Sequence, residues 1–134
     1  MQDKSLIKMI GITKNFPGTM ANDNVDFDLH AAEIHSVLGE NGAGKTTLMN
    51  ILAGMCQPDQ GTVIVGGQTV RIRSPRDSLK LGIGMVYQHF TLIPNLTVLE
   101  NLMLGFEGSF LLNLKEAQRK LQQISGAYGL SIDS

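Results

Sequence analysis

A single cysteine, Cys56, leaves the chain unable to close an internal disulfide and without a second thiol for a zinc site, which points to a reducing compartment. There is no basic surplus. Eleven Lys and Arg against twelve Asp and Glu give a formal charge of −1, so neither nucleic acid nor an anionic membrane is implied, and any phosphate-binding charge must be local. Charge of either sign is sparse, at 17% of residues against roughly 25% in average soluble proteins, which hints at surface that something else covers. A membrane span is excluded as well: residues 81–99 lack Lys, Arg, Asp and Glu, but Gly82, Gly84, Gln88, His89, Pro94 and Asn95 interrupt them. The opening, MQDKSLIKMIGITKNF, carries Asp3, Lys4, Lys8 and Lys14 and has no apolar run of the secretory kind, so export is not expected. No internal repeat or low-complexity segment occurs.

What is present suffices for a core. Apolar residues make up 43% of 134, the size of one domain or a piece of one. The patterning predicts short strands over residues 5–13, 24–31 and 33–38, with Val25, Phe27 and Leu29 alternating against Asp26 and Asp28. Residues 61–65 and 69–72 predict a hairpin, because Gly66-Gly67 suits a two-residue turn. Helix starts are marked by capping-box spacings at Ser74/Asp77, Thr97/Glu100 and Asn113/Glu116, the first with Pro75 at the favoured first position. Residues 83–87 form an apolar run expected to be a buried strand ending at Gln88. In the last helix Leu114, Ala117, Leu121 and Ile124 share one face and predict a partner for it. The fold class is therefore α/β with mixed sheet content.

The strongest signal is Gly39-Glu40-Asn41-Gly42-Ala43-Gly44-Lys45-Thr46, which satisfies G-x-x-x-x-G-K-[ST] between an expected strand and an expected helix. Gly42 and Gly44 permit positive φ, so that successive backbone N–H groups turn toward one point and form a nest for phosphate oxygens. The helix that follows adds unpaired N–H groups and the positive end of its dipole. Lys45 supplies a point charge for the β- and γ-phosphates, and the Thr46 hydroxyl suits a Mg²⁺ that bridges them. Nucleotide binding is the expectation, with Thr47 next to the loop.

With that loop in place, the chain resembles the start of an ATP-binding cassette (ABC) transporter ATPase over nearly its whole length. GENGAGKTT, SPRDSLKLGIGMVYQHF and IPNLTVLENLMLG are most similar to the first ATPase half of importers for simple sugars and nucleosides, and the HF after Gln88 leans toward the nucleoside type. The resemblance implies a P-loop NTPase fold of the ABC type, with N-terminal antiparallel strands and a partial parallel core sheet. It implies that Phe16 stacks on adenine, that Gln88 touches the Mg²⁺ or its water, and that residues 89–96 sense a membrane subunit. On the residues alone, Phe16 reads as a core or turn aromatic more readily than as a stacking one, and Gln88 could just cap a loop. The implied organisation is one partial ATP-binding domain over residues 1–134, with strands and P-loop core in 1–92 and the Q-loop and start of a helical subdomain in 88–134. The implied cofactors are ATP and Mg²⁺. The implied partners are a second ATP-binding domain, permease subunits and, indirectly, a solute-binding protein, with no nucleic acid. The implied location is peripheral, on the cytoplasmic face of the membrane.

The same resemblance marks what the 134 residues lack. There is no LSGGQ-like signature, no switch histidine, and none of the twelve acidic residues follows four consecutive apolar ones, so the Asp-Glu strand that supplies the water-orienting glutamate is missing. The sequence thus reads as truncated before those motifs, and on its own it is expected to bind ATP without useful hydrolysis and to be marginally soluble, with a sheet edge unpaired. Two other readings stay open: a different P-loop NTPase, disfavoured by the absence of an N-K-x-D guanine motif, and a non-catalytic nucleotide-binding regulator. His30 and His35 are expected on opposite faces of a strand and apart from any metal, His89 is expected to be a plain loop residue, and the methionines and Cys56 are expected to fill the core.

Overall fold

The computed structural model describes residues 5–87, 92–104 and 114–129. They fall into two units that divide between Val86 and Tyr87. In the first unit β1 (Ser5–Phe16) and β2 (Thr19–His30) form a long antiparallel hairpin, closed at Pro17-Gly18, where φ fixed by proline meets a glycine. β3 (Gln60–Val65) pairs with β1 and β4 (Gln68–Val70) pairs with β3 through the Gly66-Gly67 turn, giving the order β2-β1-β3-β4 with every pairing antiparallel. Both hairpins lie where alternation and turn chemistry place them.

The parallel part of the expected sheet is not formed among the described residues. Residues 33–38 and 83–87 carry no ladder partner and adopt no strand, and Ile34 is 97% and Leu38 90% exposed. A run apolar on both faces becomes a strand only when a neighbouring strand satisfies its N–H and C=O groups in a ladder, and no described strand lies alongside either run; Ile83 is instead tied to Ser78, donating its N–H to Ser78 O and accepting from Ser78 Oγ.

The core sits between the sheet and α1 (Lys45–Leu52). Leu48, Ile51 and Leu52 lie on one helical face and pack with Met9, Ile12, Val63 and Ile72. Each such side chain contributes on the order of 1.5–3 kcal/mol by leaving water. Cys56 is half-buried against this cluster rather than inside it, and burial raises its thiol pKa. After β4, α2 (Pro75–Lys80) begins at Ser74, whose Oγ accepts from Asp77 N at 3.2 Å, while the Asp77 carboxylate accepts from Arg73 N instead of completing a capping box.

The second unit holds α3 (Val98–Met103) and α4 (Leu114–Ala127). Thr97 and Glu100 form the expected box: Glu100 N donates to Thr97 Oγ1 at 3.2 Å, and Thr97 N donates to Glu100 Oε2 at 2.7 Å. Asn101 ties the approach to this helix by accepting from Ile93 N and donating to Ile93 O, Leu96 O and Thr97 O. On α4, Leu121 is buried and Ala117 is half-buried, but Ile124 is exposed, because no described residue covers the end of that apolar stripe. Asn113 lies outside the described residues.

The bond from Thr97 N, chiefly, holds the Glu100 carboxyl below its ordinary pKa. A depressed folded-state pKa contributes stability above the unfolded value and loses it as pH falls through the folded one. Thr97→Ala is therefore expected to speed amide exchange at Asn101 and Leu104 roughly fivefold at neutral pH. The effect should shrink in acid, where the box has already weakened, and an exchange ratio flat with pH would contradict it.

Candidate functional site

The glycine loop leaves residues 33–38 as exposed backbone and turns at Glu40, whose carbonyl accepts from Ala43 N at 3.1 Å. Gly42 and Gly44 have φ of 85° and 81°, the left-handed region expected of them. Gly44 is the N-cap of α1, and its carbonyl accepts the first helical bond, from Leu48 N at 2.9 Å. Among the described residues no side chain caps this helix, and no acidic residue stands in its first turn. Its leading N–H groups thus have neither a hydroxyl nor a carboxylate of their own, the condition under which an external anion is favoured.

Lys45 folds back over the loop. Its Nζ donates to Gly39 O and Glu40 O, both at 2.8 Å, which parks the ammonium on the carbonyl side of the loop it follows. A cation held by two exposed carbonyls can exchange them for a more negative acceptor at little cost, because water can take the carbonyls over. Gly39 is confined by the same arrangement: a Cβ there would stand 3.3 Å from Ala43 Cβ and 3.9 Å from Lys45 Nζ. Thr46 is exposed beside it and Thr47 half-buried.

The loop is seated on β2. A Cβ on Gly44 would lie 2.0 Å from Ala21 O and 2.8 Å from Asn22 Nδ2, and Asn22, 5% exposed, donates to Gly44 O at 3.3 Å while its Oδ1 has no partner among the described residues. Ala21 and Asn22 were not legible as site residues, because they precede the region of clear alternation. The available signal is the polar Asn22 on the inward face of a strand that continues with Val25 and Phe27.

Phe16 ends β1 and is 44% exposed, and Lys14 Nζ lies 5.4 Å from its ring centroid. Lys14 is opposite Asn22 in the β1–β2 register, so Phe16 stands two residues beyond the pair whose other member touches Gly44. The structure brings together Gly39, Glu40, Asn41, Gly42, Ala43, Gly44, Lys45, Thr46 and Thr47 as one loop on a helix. Gln88 and His89 lie outside the described residues.

Away from the loop, His30 and His35 are not separated as strand alternation would have it. The chain turns at Ala31 and Ala32, with Ala32 at φ 60°, so both imidazoles reach Glu33: His30 Nδ1 lies 3.3 Å from one carboxylate oxygen and His35 Nδ1 3.4 Å from the other. The His30 N–H bond, first among several causes, lowers the Glu33 pKa.

Comparison with known proteins places these features in context. The family model described as ABC transporter matches residues 22–133. The chain is 48% identical over 135 residues to the nucleoside import ATP-binding protein NupA of Lactococcus lactis, covering 99% of this chain and 27% of that protein. It is 49% identical over 129 residues to the guanosine import ATP-binding protein NupO of Bacillus subtilis, covering 95% and 25%, and 53% identical over 100 residues to a ribose import ATP-binding protein RbsA of Streptomyces coelicolor, covering 75% and 19%. The chain thus spans about a quarter or less of the length of these relatives. Among solved structures it resembles a nucleotide-free ATP-binding cassette from an ABC transporter, with a TM-score of 0.69 at 27% identity over 87% of this chain and 46% of that one. It also resembles a dimeric ATP-binding cassette in a post-hydrolysis state bound to ADP and Pi, with a TM-score of 0.67 at 28% identity over 91% and 57%.

Proposed function

The chain belongs to the ABC transporter family, and from that premise we propose that it is the ATP-binding part of an importer ATPase, one that couples ATP binding and hydrolysis to uptake of a simple sugar or a nucleoside. The observation that carries this reading is the uncapped start of α1 behind two left-handed glycines, with Lys45 Nζ held at the loop by two carbonyls. The names of the relatives, importers of nucleosides, guanosine and ribose, support the substrate class.

In this reading the backbone amides of residues 39–46 receive the phosphates, and Lys45 moves from the Gly39 and Glu40 carbonyls to the β- and γ-phosphates. Phe16 offers its exposed ring to the adenine. The donor set suits a hard divalent cation: Thr46 and Gln88 supply neutral oxygens of the kind Mg²⁺ accepts alongside phosphate and water. When bound, that ion neutralises charge on the phosphate tail. Lys45 and Gln88 are the residues we assign to the chemistry, the first by holding charge at the γ-phosphate and the second by orienting groups around the metal.

The domain organisation follows the same reading, with a core in residues 1–92 and the Q-loop and start of a helical subdomain in residues 88–134. The partners are a second ATP-binding domain, permease subunits and, through them, a solute-binding protein. No helix among the described residues is long and apolar enough to cross a membrane, and the proposed location is peripheral, on the cytoplasmic face.

Titration calorimetry with ATP and ADP, each with and without Mg²⁺, tests the assignment. ATP is expected to bind more tightly than ADP, with the difference depending on the metal. Equal, metal-independent binding of the two would leave only a passive nucleotide site, and absence of binding would remove the reading altogether.

A further inference from the structure

The base platform has a support of its own at the opposite edge of the β1–β2 hairpin. Asp59, just before β3, is bonded to three consecutive residues of β1: its N–H donates to Thr13 O at 2.9 Å, its Oδ1 accepts from Lys14 Nζ at 2.9 Å, and its Oδ2 accepts from Asn15 N at 2.7 Å. Phe16 follows directly. Lys14 is confined by this arrangement, with 15% of its side chain exposed, and its ammonium lies over the Phe16 ring. The Asn15 N–H, and then Lys14, hold the Asp59 carboxyl below the usual carboxylate range, so it is charged at neutral pH.

An aromatic ring at the end of a strand, next to a turn, loses rotamer freedom when a base stacks on it, and a ring already fixed before binding avoids that loss. A cation over one face is attracted by the ring's quadrupole and holds the ring in place while leaving aromatic surface for a second group. We propose that Lys14 and Asp59 form a positioning pair that fixes Phe16 as the base platform of the nucleotide site. The proposal rests on the nucleotide-binding reading above and adds to it two residues that confer selectivity for a base-bearing triphosphate over the bare phosphate chain.

The two charges make the test sharp. Asp59→Asn removes a negative charge and so favours any polyanion, whereas Lys14→Met removes a positive one and does the reverse, keeping the apolar stem. Affinities for Mg²⁺-ATP and for magnesium tripolyphosphate are measured for each variant, with thermal melts run alongside. In both variants the preference for ATP over tripolyphosphate is expected to fall about fivefold, and Lys14→Arg is expected to restore it. Combining Asp59→Asn with Phe16→Ala should lower the preference no further than Phe16→Ala alone. If the tie merely anchors β1 to β3, both ligands weaken together or neither does, and either result overturns the proposal. A wild-type protein that binds neither ligand would defeat the nucleotide reading itself, whereas one that binds both, with an unchanged ratio in the variants, overturns only the positioning role.

Discussion

Lys45→Ala is expected to weaken ATP binding by about 2–3 kcal/mol, roughly 30- to 150-fold, the range for losing a charge-assisted contact. The magnitude follows from what the side chain does in the free protein and what it exchanges for. Its ammonium now rests on Gly39 O and Glu40 O. Both residues are exposed, so their carbonyls can be hydrated once the lysine is gone, and the variant should fold and melt much like the parent. The loss therefore appears in binding and hardly at all in stability. Arginine is not an equivalent replacement, since its planar fork is larger than the compact ammonium that fits beside residue 39, where even a methyl would come close to the lysine chain. Calorimetry on the variant measures the effect directly, and an unchanged dissociation constant would contradict the assigned cradle.

The parts of this molecule that were legible in the sequence are those whose chemistry is local. The G-x-x-x-x-G-K-T loop announces both its turn and the helix it opens, because each depends on neighbours within a few residues. The Gly66-Gly67 hairpin and the Thr97/Glu100 box are legible for the same reason. Where pairing is non-local, sequence pattern says less. Residues 33–38 and 83–87 have the composition of buried parallel strands, yet a strand needs a strand beside it, and none of the described strands pairs with them. His30 and His35 illustrate the converse: alternation separates them only if the strand continues, and a turn at Ala31 and Ala32 brings both to Glu33. The seat of the loop, Ala21 and Asn22, was hidden because a contact between a strand and a distant glycine leaves no periodic trace. Phe16 and Gln88 carried meaning only through family resemblance. Lys14 and Asp59 carried none until the fold placed one beside the other.

Gly44→Ala is expected to be severely damaging, and its comparison with Gly42→Ala separates two causes. Both glycines have left-handed φ, 81° and 85°, so alanine at either position pays a conformational penalty of roughly 1–2 kcal/mol. Beyond its chain neighbours, no atom of the described residues lies within 4 Å of the carbon added at Gly42, and its substitution should stop at that cost. At Gly44 the new Cβ would fall 2.0 Å from Ala21 O and 2.8 Å from Asn22 Nδ2, and the first of these is backbone that cannot swing aside. Either β2 or the helix start must move. Movement of β2 strains its pairing with β1, and movement of the helix start shifts Leu48, Ile51 and Leu52 in the core. The total belongs at the severe end of single substitutions, on the order of 4 kcal/mol or more. Urea unfolding of the two variants gives the difference. If Gly44→Ala is no less stable than Gly42→Ala, the loop does not rest on β2 as described. If instead it unfolds far earlier, the glycine loop is held by the sheet as much as by its own glycines, because the carbonyl that would meet the methyl belongs to a residue far away in sequence.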